Sequence, residues 1–444
     1  MAAPHSRGPS EAKCPPHAGA RNRPSVRRNN DVRRALDSAD LMMAAPIIRH
    51  DWRARKMENR PLTSLRFVAA FYVFCYHMSL GRWPIAESWQ AKAIVLRGAL
   101  GMSVFFVLSG FVMAMRYYKE PPQPGRYYLT RFARIYPVYV LAALVTLPWL
   151  ISSAARFEGG PTTSYVAFHV VTNMLLLQAW FPETFNIWNA GGSWSISAEA
   201  FFYALFPLIF PYVSKLKLRG LAFLGVGAWL LTSTISLVFH SGMMTSAFPV
   251  YYAIPAYRFP EFLLGIAAGS IYCARGPAKG ASIGLLACTA ALFGYLLAVG
   301  YTNPNQPNIA DHWITVPLLA ASIYYAGSLR RGPVFALMSS KAFTYLGHIS
   351  YSFYSMQLLL LLSLATWHDS LVARWSAASN PLQVWAITFV ALTGLSALCY
   401  HLIEEPTRRL ISSKTRRNAE RSQTTAHLVE HKLTQAAATS KPQA

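Results

Sequence analysis

Apolar segments long enough to cross a lipid bilayer recur along most of this chain, separated by short polar connections. A spanning helix needs about 20 mostly apolar residues for about 30 Å of hydrocarbon. The pattern predicts an all-α, polytopic membrane bundle of about ten spanning helices. They are expected near residues 62–80, 99–115, 135–153, 195–213, 220–240, 250–272, 281–300, 312–328, 343–366 and 382–403.

An eleventh apolar segment, residues 165–181, is shorter and contains polar residues. The basic residues of the connections decide whether it crosses, because Lys and Arg concentrate in cytoplasmic loops. The basic connections lie at 116–134, 215–219, 275–279, 330–331 and 408–409. They share one side of the membrane only if 165–181 does not cross. We therefore predict ten spans, two cytoplasmic termini, and an interfacial or re-entrant element on the outer side over 154–194.

Composition agrees with a lipid environment. Hydrophobic residues make up 53% of the 444 residues, charged residues only 13%, and the mean hydropathy is +0.27. Soluble domains usually carry about 25% charged residues. The net charge of +23 lies largely in the tails, since residues 1–60 hold 13 basic against 6 acidic residues and 407–444 hold 8 against 2. No nucleic-acid-binding motif accompanies this charge, so we expect no nucleic-acid partner.

The composition also divides the chain into three parts. Residues 1–56 form a basic leader that is expected to be disordered, 57–410 the membrane domain, and 411–444 a basic cytoplasmic tail. The five cysteines are scattered, without a CxxC motif or a nearby cluster of histidines. Neither a disulfide framework nor a metal site is expected.

Two ionisable residues stand out in the first span, because such groups are costly inside a membrane. Arg66 and His77 are eleven residues apart, which is about three helical turns and about 16 Å on one face. With a cytoplasmic N-terminus, Arg66 lies towards the cytoplasm and His77 towards the outer side. Without chemistry, Arg66 would extend to the inner headgroups and His77 would hydrogen-bond between helices.

Three further positions carry candidate chemistry. Arg131 and Arg134 lie one turn apart at a predicted helix start, where they suit either phosphate binding or the setting of topology. Glu199 is expected one turn into the fourth span, at a depth comparable to His77, so a histidine is a plausible partner. A charge at a helix N-terminus is the alternative. Ser109, in a segment rich in small residues, suggests helix packing rather than a nucleophile.

Seven segments, in this order, resemble the acyltransferase-3 family of bacterial membrane acyltransferases. The resemblance runs from about residue 62 to about 410. The segments are Leu65-Arg66 with His77, the run 105–111, Arg131 to Pro137 with Arg134, Trp194-Ser195 with Glu199 and Tyr203, 258–265 with Arg258 and Glu261, Ile349 to Tyr351 with Tyr354, and Ile403 to Pro406.

The resemblance implies transfer of an acyl group, usually acetyl, from cytoplasmic acyl-CoA to a hydroxyl of a carbohydrate or related envelope acceptor. It implies a multi-pass protein in the lipid bilayer of the bacterial cytoplasmic (inner) membrane, with acyl-CoA as co-substrate and no permanently bound cofactor. The family's arginine–histidine motif falls on Arg66 and His77, and its arginine pair on Arg131 and Arg134. The chain resembles the stand-alone type, which lacks a C-terminal esterase-like domain.

Site roles follow from the resemblance together with the residue chemistry. His77 and Glu199 are expected to be catalytic, and the three arginines to bind acyl-CoA. A looser group is expected on the acceptor side or in the framework: Trp194, Ser195, Tyr203, Arg258, Glu261 and Tyr351. Where the family often has a histidine, this chain has Gln357, which cannot titrate, so no proton-transfer role is expected there.

The reaction path and the function class stay open at this stage. His77 suits either a general base in direct transfer or the site of an acyl-histidine intermediate. A transporter or flippase of a lipid-linked saccharide is the main alternative, although no internal repeat typical of transporters is visible. A non-catalytic membrane scaffold is a third class, and it leaves the intramembrane ionisable residues unexplained.

Overall fold

The computed structural model describes residues 58–81, 83, 88–154, 163–181, 184, 188, 190–241, 252–302, 311–375 and 380–413. The predicted leader and nearly all of the predicted C-terminal tail lie outside these residues. Regular secondary structure within them is helical, which confirms the all-α prediction. The helices of the first half are α1 (Arg60–Leu80), α2 (Trp89–Val95), α3 (Leu100–Tyr117), α4 (Pro124–Ala154), α5 (Thr163–Met174) and α6 (Ala190–Val213).

The second half of the chain continues in the same way. Its helices are α7 (Leu218–His240), α8 (Pro255–Arg275), α9 (Ala281–Thr302), α10 (His312–Ser328), α11 (Pro333–Met338), α12 (Lys341–Arg374) and α13 (Pro381–Cys399). A π-helical turn, Tyr400–Glu404, extends α13. Each of the ten predicted spans overlaps one of these helices.

Seven helical segments of the described chain are long and apolar enough to cross a membrane. Helices α1, α8 and α10 are not among them, and α10 has only 17 residues. These three helices carry several of the ionisable side chains inside the bundle, including Arg66, Arg258 and His312. The protein is thus a multi-pass membrane protein. The count of ten and the side on which the termini lie stay predictions.

Helix α5 covers the first part of the doubtful eleventh segment. It has 12 residues, which gives about 18 Å and falls short of the bilayer. The chain after it is tied to its neighbours, because the Tyr139 hydroxyl donates to the Asn173 carbonyl oxygen at 2.8 Å and the Ser197 hydroxyl to that of Leu176 at 2.6 Å. This short, anchored element agrees with the prediction that the segment does not cross.

Two predicted helix starts were wrong, and both errors move a site residue. Helix α4 begins at Pro124, a residue whose fixed φ suits a first turn. Arg131 and Arg134 therefore lie two to three turns inside the helix, not at its start. Helix α6 begins at Ala190, so Glu199 lies more than two turns inside it, too deep for the alternative role of a charge at a helix N-terminus.

Helices α3 and α8 pack backbone to backbone. A Cβ atom at Gly110 would collide with the carbonyl oxygen of Phe262, and one at Gly265 with that of Val107. Such small-residue contacts are typical of helix pairs in membranes. The pair fixes α3, which carries Ser109, against α8, which carries Arg258 and Glu261.

Helix α1 packs between α3 and α12. Its aromatic face contacts α12 through Phe67 and Phe74, whose ring centroids lie 5.7 Å and 5.9 Å from that of Phe353. The N-cap Asn59 accepts a hydrogen bond from the Leu62 amide at 3.4 Å, and Pro61 fits the first turn. The 21 residues of α1 span about 32 Å, so one straight element carries both Arg66 and His77.

Candidate active site

His77 lies near the end of α1 and faces α12. Its Nδ1 lies 3.2 Å from Oε1 of Gln357, and Nε2 of Gln357 donates to the Ala70 carbonyl oxygen at 3.2 Å. His77 is half-buried, whereas Gln357 is 2% exposed. The position at which the sequence departs from the family pattern is therefore in direct contact with the candidate catalytic histidine. Sequence reasoning had excluded proton transfer by Gln357 but gave it no other role.

Three half-buried arginines, Arg66 on α1 with Arg131 and Arg134 on α4, form what we call the arginine cluster. Arg66 interacts electrostatically with the other two. The Arg131 guanidinium carbon lies 5.6 Å from the centroid of the Tyr203 ring, within the range of a cation–π contact, and its buried Nε has no hydrogen-bond partner. Like charges that gather without direct pairing are typical of a site for an anionic ligand.

Glu199 belongs to the arginine cluster rather than to His77. It accepts hydrogen bonds from the Ser109 hydroxyl, at 3.3 Å, and from the Tyr203 hydroxyl. It also interacts electrostatically with Arg66 and Arg134. Among the residues that the structure describes, no hydrogen bond joins Glu199 to His77, so the expected carboxylate–histidine pair is not found. Ser109 does more than pack, since it bridges Glu199 and the Tyr203 hydroxyl, 3.2 Å away.

The charge of this region does not balance. Arg134 also interacts electrostatically with Glu404, which accepts a hydrogen bond from the Ser352 hydroxyl at 2.8 Å. Among the residues that the structure describes, three guanidinium groups thus meet two carboxylates, Glu199 and Glu404. Tyr351 packs nearby and donates to the Ile135 carbonyl oxygen at 2.6 Å, which places it in the framework of α4. The region retains an excess positive charge in a half-buried setting.

A second polar group, which we call the buried ion network, has the opposite character. It consists of Arg258 and Glu261 on α8 with His312 on α10. The Arg258 Nε lies 3.1 Å from Glu261 Oε1, and His312 Nδ1 lies 3.4 Å from the same oxygen. All three side chains are at most 2% exposed. Arg258 also donates to the Ser103 hydroxyl at 3.0 Å.

Aromatic rings close the buried ion network. The Arg258 guanidinium carbon lies 4.6 Å from the ring centroid of Tyr252 and 5.8 Å from that of Trp194. A guanidinium enclosed by rings and paired with a carboxylate is held by the cation–π contacts and the ion pair. Within the described residues, the buried Nη1 of Arg258 and Nε2 of His312 have no hydrogen-bond partner. These contacts fix Arg258, Glu261 and Trp194 against one another, and both the acceptor-side and the structural role stay predictions.

An ion pair that the sequence analysis missed adjoins this network. Arg97 pairs with Asp311, the residue before His312, and both are buried. The Tyr295 hydroxyl donates to the Asp311 carboxylate at 3.1 Å. The available signal was an Asp-His sequence at the start of a predicted span, together with a lone arginine just before another span.

Ser195 is held between α6 and α12. Its hydroxyl lies 2.7 Å from that of Tyr354. A small pocket opens beside this pair and is lined by Tyr139, Ser193, Tyr354 and Ser355, among others. The pocket lies between α4, α6 and α12, and its lining also includes Ala142, Ile196 and Leu358.

The arrangement separates two chemical tasks along α1. The arginine cluster provides excess positive charge and planar donors, which suit phosphate groups. About 16 Å further along the helix, His77 provides an imidazole whose Nδ1 is already engaged with Gln357. A ligand with an anionic end and a reactive end could meet both.

Comparison with known proteins gives a family and several relatives. A profile described as an acyltransferase domain matches residues 61–401. Acyltransferase MdmB of Streptomyces mycarofaciens is 29% identical over 381 residues, which cover 80% of this chain and 92% of that protein. Exopolysaccharide production protein ExoZ of Rhizobium meliloti (strain 1021) is 26% identical, with coverage of 70% and 90%. Peptidoglycan O-acetyltransferase OatA of Listeria monocytogenes is 23% identical, with coverage of 78% and 55%.

No solved structure matches the chain. The acyltransferase profile covers most of the described helices, including those that carry His77, the arginine cluster and the buried ion network. This match decides the function class in favour of an enzyme, against a transporter or a scaffold. The chain belongs to the acyltransferase-3 family and is a multi-pass membrane O-acyltransferase.

Proposed function

We propose that this protein transfers an acetyl group from cytoplasmic acetyl-CoA to a hydroxyl of an envelope or secreted carbohydrate, in the bacterial cytoplasmic membrane. The observation that carries the proposal is the placement of the arginine cluster and His77 at two depths of the bundle, joined by α1. An extended CoA molecule has its phosphates at one end and its thioester at the other. The two ends match the two chemical environments.

The donor's phosphates would bind at the arginine cluster. Arg66, Arg131 and Arg134 are half-buried, so their guanidinium groups lose part of their hydration without being closed off. Charge-assisted hydrogen bonds to phosphate are roughly twice as strong as neutral ones. Glu199 and Tyr203 would hold the arginines in place, through the electrostatic contacts and the cation–π contact that already join them.

The chemistry would take place at His77. The neutral imidazole accepts the proton of the acceptor hydroxyl while the oxygen attacks the thioester carbonyl carbon. The tetrahedral intermediate collapses with cleavage of the carbon–sulfur bond. The departing sulfur takes the proton from His77, which leaves free CoA, the acetyl ester and the neutral imidazole. Glu199 would act through the donor side, because its partners lie there.

The acceptor class is inferred from the relatives. One is named for exopolysaccharide production and another is a peptidoglycan O-acetyltransferase. Exopolysaccharide and peptidoglycan both offer sugar hydroxyls as acceptors.

The test is transfer of label from radioactive acetyl-CoA to envelope glycans prepared from a strain that lacks the protein. We expect His77→Ala to lower the rate by about 10²–10⁴-fold, the usual contribution of a general base. His368→Ala is the matched control, since His368 is only partly buried, lies near the end of α12 and pairs with Asp369. Wild-type activity in a normally inserted His77→Ala variant would refute the mechanism.

The same assay separates direct transfer from an acyl-histidine path. After quenching without acceptor, direct transfer leaves no label on the protein. Label that appears on the wild-type protein and disappears in His77→Ala would establish the covalent path instead.

A further inference from the structure

The imidazole of His77 has two nitrogens, and a general base needs one particular nitrogen free. A neutral histidine carries its proton on either Nδ1 or Nε2, and the hydrogen bond made by one nitrogen sets the role of the other. Only Nδ1 of His77 has a hydrogen-bond partner within the described residues, namely Gln357. Which nitrogen of His77 carries the proton therefore depends on which end of the Gln357 amide faces it.

The second contact of Gln357 fixes that orientation. A backbone carbonyl oxygen can only accept a hydrogen bond, so the group that faces Ala70 must be the amide NH₂. The distance from Nε2 of Gln357 to the Ala70 carbonyl oxygen is 3.2 Å. The amide oxygen is then left for His77, 3.2 Å from Nδ1. An amide oxygen only accepts, so Nδ1 must carry the proton.

We propose that Gln357 is a positioning residue that holds His77 in the Nδ1–H tautomer and thereby leaves the Nε2 lone pair free as the catalytic base. This inference rests on the proposed function. Gln357 itself takes no proton, as expected for a group that does not titrate.

The hydrogen bond to Ala70 holds the Gln357 amide in one orientation. Ala70 and His77 lie seven residues apart on α1, which is two turns along one face. The buried Gln357 contacts both residues and therefore bridges two points of the helix that carries the base. Rotation of the amide would place its NH₂ against Nδ1 and its oxygen against the Ala70 carbonyl oxygen, and the latter contact would be repulsive.

The surroundings of His77 leave Gln357 as the group that sets its protonation. The neighbouring Tyr76 ring lies 5.5 Å from the imidazole centroid. Within the described part of the chain, no carboxylate or guanidinium forms a hydrogen bond or an ion pair with His77. Substitution of Gln357 should therefore act directly on the proton affinity of the imidazole.

The experiment compares three variants in the acetyl-transfer assay, with kcat and the KM for acetyl-CoA measured across pH. We expect Gln357→Leu to lower kcat by about 10–100-fold, as for other groups that orient a functional histidine. The KM for acetyl-CoA should stay unchanged, because the arginine cluster is untouched. The acid limb of the kcat profile should move to lower pH, because the imidazolium loses an acceptor.

Gln357→Glu separates positioning from packing. The carboxylate still accepts from Nδ1–H but cannot donate to Ala70, and it stabilises the imidazolium. We expect a kcat above that of Gln357→Leu and an acid limb at higher pH than in the wild type. Thr366→Val is the control on the same helix, because it removes the hydrogen bond from Trp149 Nε1, 2.9 Å long, away from the site. It should leave the profile unchanged.

The outcomes distinguish the two proposals. Wild-type kcat and pH profile in both Gln357 variants, with an inactive His77→Ala, would overturn the positioning role and keep the proposed function. Equal losses in both variants without a shift of the acid limb would make Gln357 a packing residue. An active His77→Ala would overturn the proposed function itself.

Discussion

Arginine occurs in both the buried ion network and the arginine cluster, and the two offset the free-energy cost of a buried charge in different ways. In the buried ion network, Arg258 is fully buried, paired with Glu261 and enclosed by aromatic rings. In the arginine cluster, three guanidinium groups meet two carboxylates of the described residues and remain half-buried. In the first group the arginine has a counter-ion, Glu261, at 3.1 Å. The second retains charge that a ligand can neutralise.

The comparison shows that a charged residue inside a span does not by itself identify a binding site. Arg258 and Glu261 fall within the segments that resemble the family, as do the three arginines of the arginine cluster. What separates them is the balance of charge and the access to it. We expect a buried ion pair to affect mainly the stability of the protein, and an accessible excess of charge to affect mainly the binding of a ligand.

The largest effect is expected in the buried ion network. Glu261→Gln leaves the Arg258 charge buried without its counter-ion, and removing one partner of such a pair costs about 3–5 kcal/mol. We expect a marked loss of stability in thermal unfolding of the detergent-purified protein. The double variant Arg258→Met/Glu261→Leu should regain most of it, because no charge is then left unpaired. A double variant as unstable as Glu261→Gln would show that the pair does more than satisfy itself.

A smaller effect, on binding rather than stability, is expected in the arginine cluster. Arg134→Gln should weaken CoA binding by about 10–100-fold, which corresponds to about 1.4–2.8 kcal/mol for a charge-assisted contact. Its unfolding midpoint should stay close to that of the wild type. Isothermal titration with CoA measures the affinity, and Arg116→Gln, an exposed arginine at the end of α3, is the control. Unchanged CoA affinity in Arg134→Gln would mean that Arg134 sets the membrane topology and does not bind CoA.

The smallest effect has the opposite sign. Glu199→Gln keeps a hydrogen-bond acceptor for Ser109 and Tyr203 but removes a negative charge near Arg66 and Arg134. CoA affinity should rise by about 2–3-fold, a shift typical of one charge at several ångströms in a polar setting. The same titration measures it, at low salt, where screening is weakest. A fall in affinity would mean that Glu199 orients the arginines more than it neutralises them.

The sequence predicted the helices well, because apolar length and loop charge are local signals. Each predicted span overlaps a helix, and α5 is too short to cross. Helix starts were less accurate: Pro124 opens α4 well before the apolar run begins, and that error displaced Arg131 and Arg134. The polar residues before the apolar run gave no sign that the helix was already formed.

Side-chain contacts between helices could not be predicted from the sequence, because they depend on the rotation of each helix about its axis and on its depth in the bundle. Spacing correctly placed Arg66 and His77 on one helix. It also suggested Glu199 as a partner of His77, whereas the structure gives Glu199 to Ser109 and Tyr203. Gln357, which lies 280 positions along the chain from His77, became visible as its partner only in three dimensions.

The contact between α3 and α8 has a consequence for how the enzyme can move. Main-chain atoms of the two helices come close at Gly110 and Gly265, so no side chain separates the helices at these two points. We therefore expect the two helices to move as a single body. If a donor enters from one face of the membrane and an acceptor from the other, the gates must form where longer side chains separate the helices. A disulfide that locks α3 to α8 should then leave turnover intact.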